Sequence, residues 1–155
     1  MYSNEPEDYK CPFCRIVKGV EDEFVLTKQS DIVFQNNTIT SFISSHWWPN
    51  NPGHVLIIPN NHFENLYSLP DDISAEIHKL EKVIALAFKK CYGSEGVSSR
   101  QHNELPGDQY VWHYHLHVYP RYGDDNLYKT EQVLISEEQR ASYAKKLREY
   151  LIDKI

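Results

Sequence analysis

Residues Val111–Pro120 read VWHYHLHVYP, with His113, His115 and His117 separated by Tyr114 and Leu116. Side chains alternate across an extended chain. The three imidazoles therefore share one face, while Trp112, Tyr114, Leu116 and Val118 occupy the other. Neighbouring histidines on that face have Cα atoms about 6–7 Å apart. A neutral imidazole carries one donor and one acceptor, and both need partners when the ring leaves water. A row of three is thus an expensive way to build a plain core. It predicts a strand whose polar face does chemistry and whose apolar face packs inward.

Outward from this stretch, the chain has the size and balance of one ordinary globular domain. It has 155 residues, of which 41% are hydrophobic and 25% charged, enough to bury a core without staples. The net charge of −6 gives no general attraction to nucleic acid or to an anionic membrane. An anionic substrate would therefore need local positive character, from histidine, backbone N–H groups or metal. No apolar run approaches the roughly 18 residues a membrane span requires, and the acidic start MYSNEPEDY does not read as a secretory signal. The expectation is a cytoplasmic protein.

Three cysteines make an odd count and argue against a disulfide framework. Cys91 falls on a helical apolar stripe and reads as a small buried hydrophobe. Cys11 and Cys14 form CPFC, a spacing shared by zinc knuckles and redox pairs. Redox motifs of this kind open a long helix after a strand. Here only RIVK follows before Gly19, so metal binding is the favoured reading.

The remaining elements follow from periodicity and punctuation. Residues 1–10 are polar and read as a flexible lead-in to a single domain over residues 11–155. Phe24–Thr27 and Ile32–Gln35 predict a hairpin around KQSD, and Thr38–Ser44 a third strand. SHWWPNNPG is a loop, whose adjacent Trp47 and Trp48 should pack on the body or on a partner. His54–Pro59 is a dense apolar run and predicts a central strand. Asp71 or Asp72 should cap a helix over Ile73–Cys91, ended by Gly93. Gly96–Gln101 predicts another strand, HNELPGD and RYGDDNLYKT predict loops, and Ser136 with Gln139 caps a C-terminal helix of about 15 residues. This order reads as α+β with an antiparallel sheet, one long central helix and a C-terminal helix.

The run HYHLHVY at His113–Tyr119 resembles the signature of the histidine triad (HIT) family of nucleotide hydrolases and transferases. PGHVLIIPNNH at Pro52–His62 is similar to that family's second motif, and CPFC with RIVKG to its N-terminal start. The match runs from about Cys11 to Arg121, in the family's order. It implies a five-stranded HIT-like sheet and a homodimer. It also implies a purine nucleotide or nucleotide conjugate as the ligand, with no role for nucleic acid or membrane.

By resemblance, His115 is the nucleophile that forms a transient nucleotidyl-histidine, with His117 and His54 beside the same phosphate. A nucleophilic imidazole must be neutral, with the proton on its second nitrogen held by an acceptor. The uridylyltransferase branch has Gln where this chain has His117, which favours hydrolysis over transfer. Cys11, Cys14, His62 and His113 resemble the ligand set of zinc-bearing members, a closed and hence structural site holding one zinc ion per chain. The competing arrangement is an open catalytic metal on two triad histidines, which leaves CPFC unexplained.

Gln109 matches a family position that contacts phosphate, and the backbone at Gly107 and Asp108 could add donors. Gln101 and Asn103 are further candidates for phosphate or ribose. Phe13, Phe42 and Ile43 are candidates for the base slot, with Ser44 near the ribose. The implied reaction is hydrolysis at the α-phosphorus of a phosphoramidate, an aminoacyl adenylate or a dinucleoside polyphosphate. The rivals are nucleotidyl transfer to an acceptor other than water, and a non-catalytic nucleotide sensor.

Overall fold

The computed structural model of the chain describes residues 2–155. Five antiparallel strands form one sheet in the order β1-β2-β4-β6-β5. They are β1 (Ile32–Gln35), β2 (Ile39–Ile43), β4 (Val55–Pro59), β5 (Gly96–Gln101) and β6 (Leu116–Arg121). Strands β2 and β4 are buried along their whole length, as their near-continuous apolar sequences demand.

Two helices cover one face of the sheet. Helix α2 (Asp71–Ala87) buries Ile77, Leu80, Ile84 and Ala87, and α3 (Glu137–Leu151) buries Ala144, Leu147 and Leu151. Both pack against Ile39, Ile43, Val55, Ile57, Leu116 and Val118. Complete burial of a side chain such as Ile57 or Ile84 contributes roughly 1.5–3 kcal/mol. The alternate residues Phe42, Leu56 and Ile58 face the other side. There they meet Phe13 and Ile16 of the short helix α1 (Pro12–Val17). One face is thus the core, and the other is only partly roofed.

The helix ends largely follow the sequence reading. Ser136 Oγ accepts from the Gln139 amide at the start of α3. At α2 the cap residue is Pro70. Asp71 and Asp72 sit in the first turn, where their charges oppose the positive helix end. After Ala87 the chain widens into a π-turn over Phe88–Tyr92, then stops at Gly93 in the left-handed conformation (φ +65°). Cys91 lies in that turn and is half-buried rather than enclosed.

Three expectations need correction. Phe24 ends a turn and Val25–Thr27 forms no strand; Val25 and Thr27 are inward, but the segment pairs with no strand among the described residues. Lys28–Asp31 folds into a 3₁₀ turn closed by the Lys28 amide on the Asp31 carboxylate. The Leu26 carbonyl is taken by Arg140 of α3. The histidine strand also starts later than its sequence suggests, at Leu116, so only His117 lies in the ladder. Pairing with β4 stops because Pro59 has no N–H to give, and the Tyr114 amide donates to Phe63 instead, at 2.6 Å.

Thirdly, the Trp loop contains a strand. A second, two-stranded sheet pairs β3 (His46–Trp47) with β7 (Val133–Leu134). Trp47 and Trp48 both pack on the body, Trp47 against Tyr143 and Trp48 against Tyr119. The turn that follows depends on Gly53. Its φ is +83°, and a Cβ there would lie 2.6 Å from both Tyr92 and Tyr143. Among the described residues, no helix is long and apolar enough to cross a membrane.

Candidate active site

The partly roofed face of the sheet carries a cross-strand row that reaches from β2 to β5. Phe42 of β2 stands opposite Leu56 of β4, Leu56 opposite His117 of β6, and His117 opposite Arg100 of β5. All four line one cavity of about 470 Å³, together with His54, His102 and His115. The row runs from apolar at β2 to cationic at β5 over three strand spacings, about 14 Å. The histidines lie in the middle.

The hydrogen bonds of the rings fix their tautomers. His115 Nδ1 lies 2.7 Å from the carbonyl of His113, which can only accept, so Nδ1 carries the proton and Nε2 has the free lone pair. His54 Nδ1 donates to the carbonyl of His46 at 3.4 Å, leaving Nε2 as an acceptor. His117 Nδ1 donates to that Nε2 at 2.9 Å, so His117 Nε2 is also free. His102 Nδ1 donates to the Gly107 carbonyl at 2.6 Å, and its buried Nε2 has no partner among the described residues. Three basic Nε2 atoms are therefore held ready on one cavity.

Burial keeps His54, His115 and His117 neutral. It pushes His54 down to about 3 and His115 down to about 4, and holds His117 well below the usual histidine value. The neighbouring imidazoles and the Arg100 charge add to the effect on His54 and His117. Phe13 packs edge-on against Phe42 and His115, with centroids 5.6 and 5.2 Å away, and closes the apolar end.

CPFC is the start of α1. Cys11 is its N-cap, its Sγ accepting from the Cys14 amide, and Pro12 occupies the first helical position. The turn aims both sulfurs at His62 and His113, away from Phe13. Cys11 Sγ lies 3.3 Å from His113 Nδ1, and Cys14 Sγ lies 3.3 Å from His62 Nδ1 and 3.6 Å from His113 Nδ1. All four donor atoms fall within 4.8 Å of one another. Zinc bonds of about 2.3 Å to sulfur and 2.0–2.1 Å to nitrogen put tetrahedral S and N ligands about 3.6 Å apart. The set has the spacing zinc requires. Its outer partners fit as well: His113 Nε2 donates to the Pro59 carbonyl at 2.9 Å, and His62 Nε2 meets the Glu5 carboxylate at 2.8 Å.

Of the residues singled out in the sequence, His54, His115, His117, Phe13, Phe42, Ser44 and Asp108 line the cavity. Ile43 does not, because it points into the helix-covered core. Gln109 is buried, its amide committed to the backbones of Glu64, Glu104 and Val111. Gln101 and Asn103 hydrogen-bond to each other, and Asn103 also holds the Leu66 amide. The Gly107 and Asp108 amides close the turn over Glu104–Asp108. Asp108 has φ +66°, a backbone glycine would adopt freely and Asp tolerates.

Arg100 and His102 are among the cavity residues that escaped the sequence reading. His102 looked like one more polar residue of HNELPGD. Arg100 lies in a strand with no local pattern to mark it.

Fold and site together define a small α+β domain with neutral histidines facing a pocket and a separate Cys2His2 cluster. The family model for the HIT domain matches residues 26–124. The chain belongs to the HIT domain family. It is 33% identical to the adenosine 5'-monophosphoramidase of Candida albicans over 115 residues, 72% of this chain and 70% of that one. It is 26% identical to the adenylylsulfatase of Arabidopsis thaliana over 123 residues, 79% of this chain and 58% of that one. Among solved structures, the fold resembles a zinc-bound histidine triad protein of Mycobacterium smegmatis, with a TM-score of 0.75 and 24% identity. The likeness covers 92% of this chain and 94% of that one.

Proposed function

We propose that this protein is a nucleotide hydrolase that cleaves at the α-phosphorus of a nucleoside monophosphate derivative. The observation that carries the reading is the His115–His113 hydrogen bond, which leaves a neutral, correctly protonated imidazole with its lone pair on the cavity. Two relatives, the phosphoramidase and the adenylylsulfatase, support hydrolysis as the reaction.

In the first step, His115 Nε2 forms a bond to phosphorus and the bond to the leaving group breaks, its electron pair going with that group. The ring becomes a cation, and the His113 carbonyl on Nδ1–H faces the new charge. Water then attacks phosphorus and the N–P electron pair returns to His115. The proton that the water loses passes to His117 Nε2 and then to solvent. His54 fixes the tautomer of His117 and so acts by positioning it. The base lies at the Phe13–Phe42 end, and Ser44 lies near the ribose.

Cys11, Cys14, His62 and His113 would hold a structural zinc ion. With four protein ligands the site is closed, and it would tie the N-terminal segment to the chain entering β6.

The test is a panel of phosphoramidates, aminoacyl adenylates and dinucleoside polyphosphates, with an acid- or heat-quenched sample taken during turnover for mass spectrometry. The expected result is release of the nucleoside monophosphate and a nucleotidyl adduct on His115. An adduct on another side chain would overturn the assignment, and transfer to an added alcohol or phosphate in preference to water would make the protein a transferase.

A further inference from the structure

Among the described residues that line the cavity, Arg100 alone brings a fixed positive charge, and it faces aromatic rings rather than a carboxylate. Its guanidinium carbon lies 4.8 Å from the centroid of Tyr128 and 5.8 Å from those of Trp48 and Tyr119. These rings brace each other edge-to-face, Trp48 on Tyr128 at 5.2 Å and Trp48 on Tyr119 at 5.6 Å. The ring faces hold the cation in place without neutralising its charge. Among the described residues, no carboxylate lies within ion-pair distance of Arg100, and its Nε is buried without a hydrogen-bond partner. The Tyr119 hydroxyl beside it is likewise buried and unpartnered.

The register fixes where these donors sit. Arg100 stands directly across from His117, one strand further from the apolar end than the histidines. A nucleoside at Phe13 and Phe42 would put the reacting phosphorus over His115 and His117, and the departing group toward Arg100. Arg100 is half-buried, and a guanidinium with an unpartnered Nε–H recognises tetrahedral oxyanions and carboxylates, not amines, which compete for the same charge.

We infer that Arg100, held by Trp48, Tyr119 and Tyr128, is a leaving-group subsite for a tetrahedral oxyanion, phosphate or sulfate, attached to the α-phosphorus. This rests on the hydrolase reading for its role in turnover, but not for its role in binding. When His115 attacks, the α-phosphorus–oxygen bond breaks and its electron pair departs on the phosphate or sulfate oxygen, which is stable as an anion and needs no proton. An amine leaving group would need one.

The test has a binding arm and a turnover arm. In His115→Ala, ADP should bind at least about tenfold more tightly than AMP by calorimetry, and Arg100→Met should remove most of that difference. Arg100→Lys should restore part of it, since it keeps the charge but loses the fork. In the wild type, the ratio of kcat/KM for adenosine 5'-phosphosulfate or diadenosine triphosphate over adenosine 5'-phosphoramidate should exceed its value in Arg100→Met by about thirtyfold. The two anionic substrates distinguish sulfate from phosphate as the better occupant. Equal binding of ADP and AMP overturns the subsite whether or not any substrate is turned over, and needs no Arg100 variant to fold. Intact ADP preference with no turnover of any substrate instead overturns the hydrolase reading and leaves the subsite standing.

Discussion

His115 donates its Nδ1 proton to the backbone carbonyl of His113 at 2.7 Å, while His113 turns its own Nδ1 toward the sulfurs of Cys11 and Cys14. Two adjacent members of one histidine row thus turn toward different groups, His113 to the cysteines and His115 to the cavity, and a hydrogen bond joins them. The residue that would anchor a metal also supplies the acceptor that sets the tautomer of the proposed nucleophile. On the proposed reading, a metal at the cysteine cluster would be coupled to the nucleophile through this hydrogen bond.

That coupling gives a first prediction. Protein purified without chelator should contain about one zinc ion per chain by elemental analysis. Cys14→Ser should lose the metal and lower the melting temperature by roughly 4–8 °C, as loss of about 2 kcal/mol does in a domain of this size. Metal-free wild type with an unchanged melting temperature would remove the zinc site.

His117 is predicted to act through its free Nε2. Replacement by Ala should lower kcat by roughly 10²–10⁴-fold, the usual range for a lost proton-transfer group, with little change in melting temperature. His117→Gln keeps polarity but not basicity and should not restore hydrolysis. Steady-state assays of both variants decide the point.

Gly53 positions His54 by allowing the turn before β4. Gly53→Ala would place a methyl group against Tyr92 and Tyr143 in a backbone region that alanine resists. The expected loss is roughly 2–4 kcal/mol in chemical denaturation, combining overpacking with backbone strain.

Asp125 ties the loop after β6 to the body. Its carboxylate accepts from Arg121 twice, from the Asn51 side chain, and from the amides of Tyr122 and Leu127. Arg121, with these donors, holds its pKa well below the usual carboxylate value. A depressed folded pKa adds stability that is present above the unfolded value, about 3.9, and is lost as pH falls below it. Asp125→Asn should therefore cost roughly 2–4 kcal/mol at pH 7, and the gap from wild type should narrow below about pH 4. A constant gap across that range would contradict this.

What the sequence displayed, and what it hid, divides along physical lines. Patterns within a few residues were legible: HYHLHVY, CPFC, the caps at Ser136 and Gly93, and the apolar run of β4. Contacts set by pairing were not. Arg100 faces His117 only because β5 and β6 pair in one register, and nothing near SSRQ reveals it. Phe24–Thr27 alternates like a strand, yet Arg140, 114 residues from Leu26, takes the carbonyl that a neighbouring strand would need. Gln109 has the right neighbours in sequence, but its amide is consumed by three backbone groups.

The central claim, that His115 carries the reaction, is tested most directly by the turnover of His115→Ala on the best substrate of the panel. The account predicts a fall in kcat/KM of at least about 10⁴-fold, with thermal unfolding and nucleotide binding preserved. Turnover near the wild-type rate in a folded His115→Ala protein would contradict it.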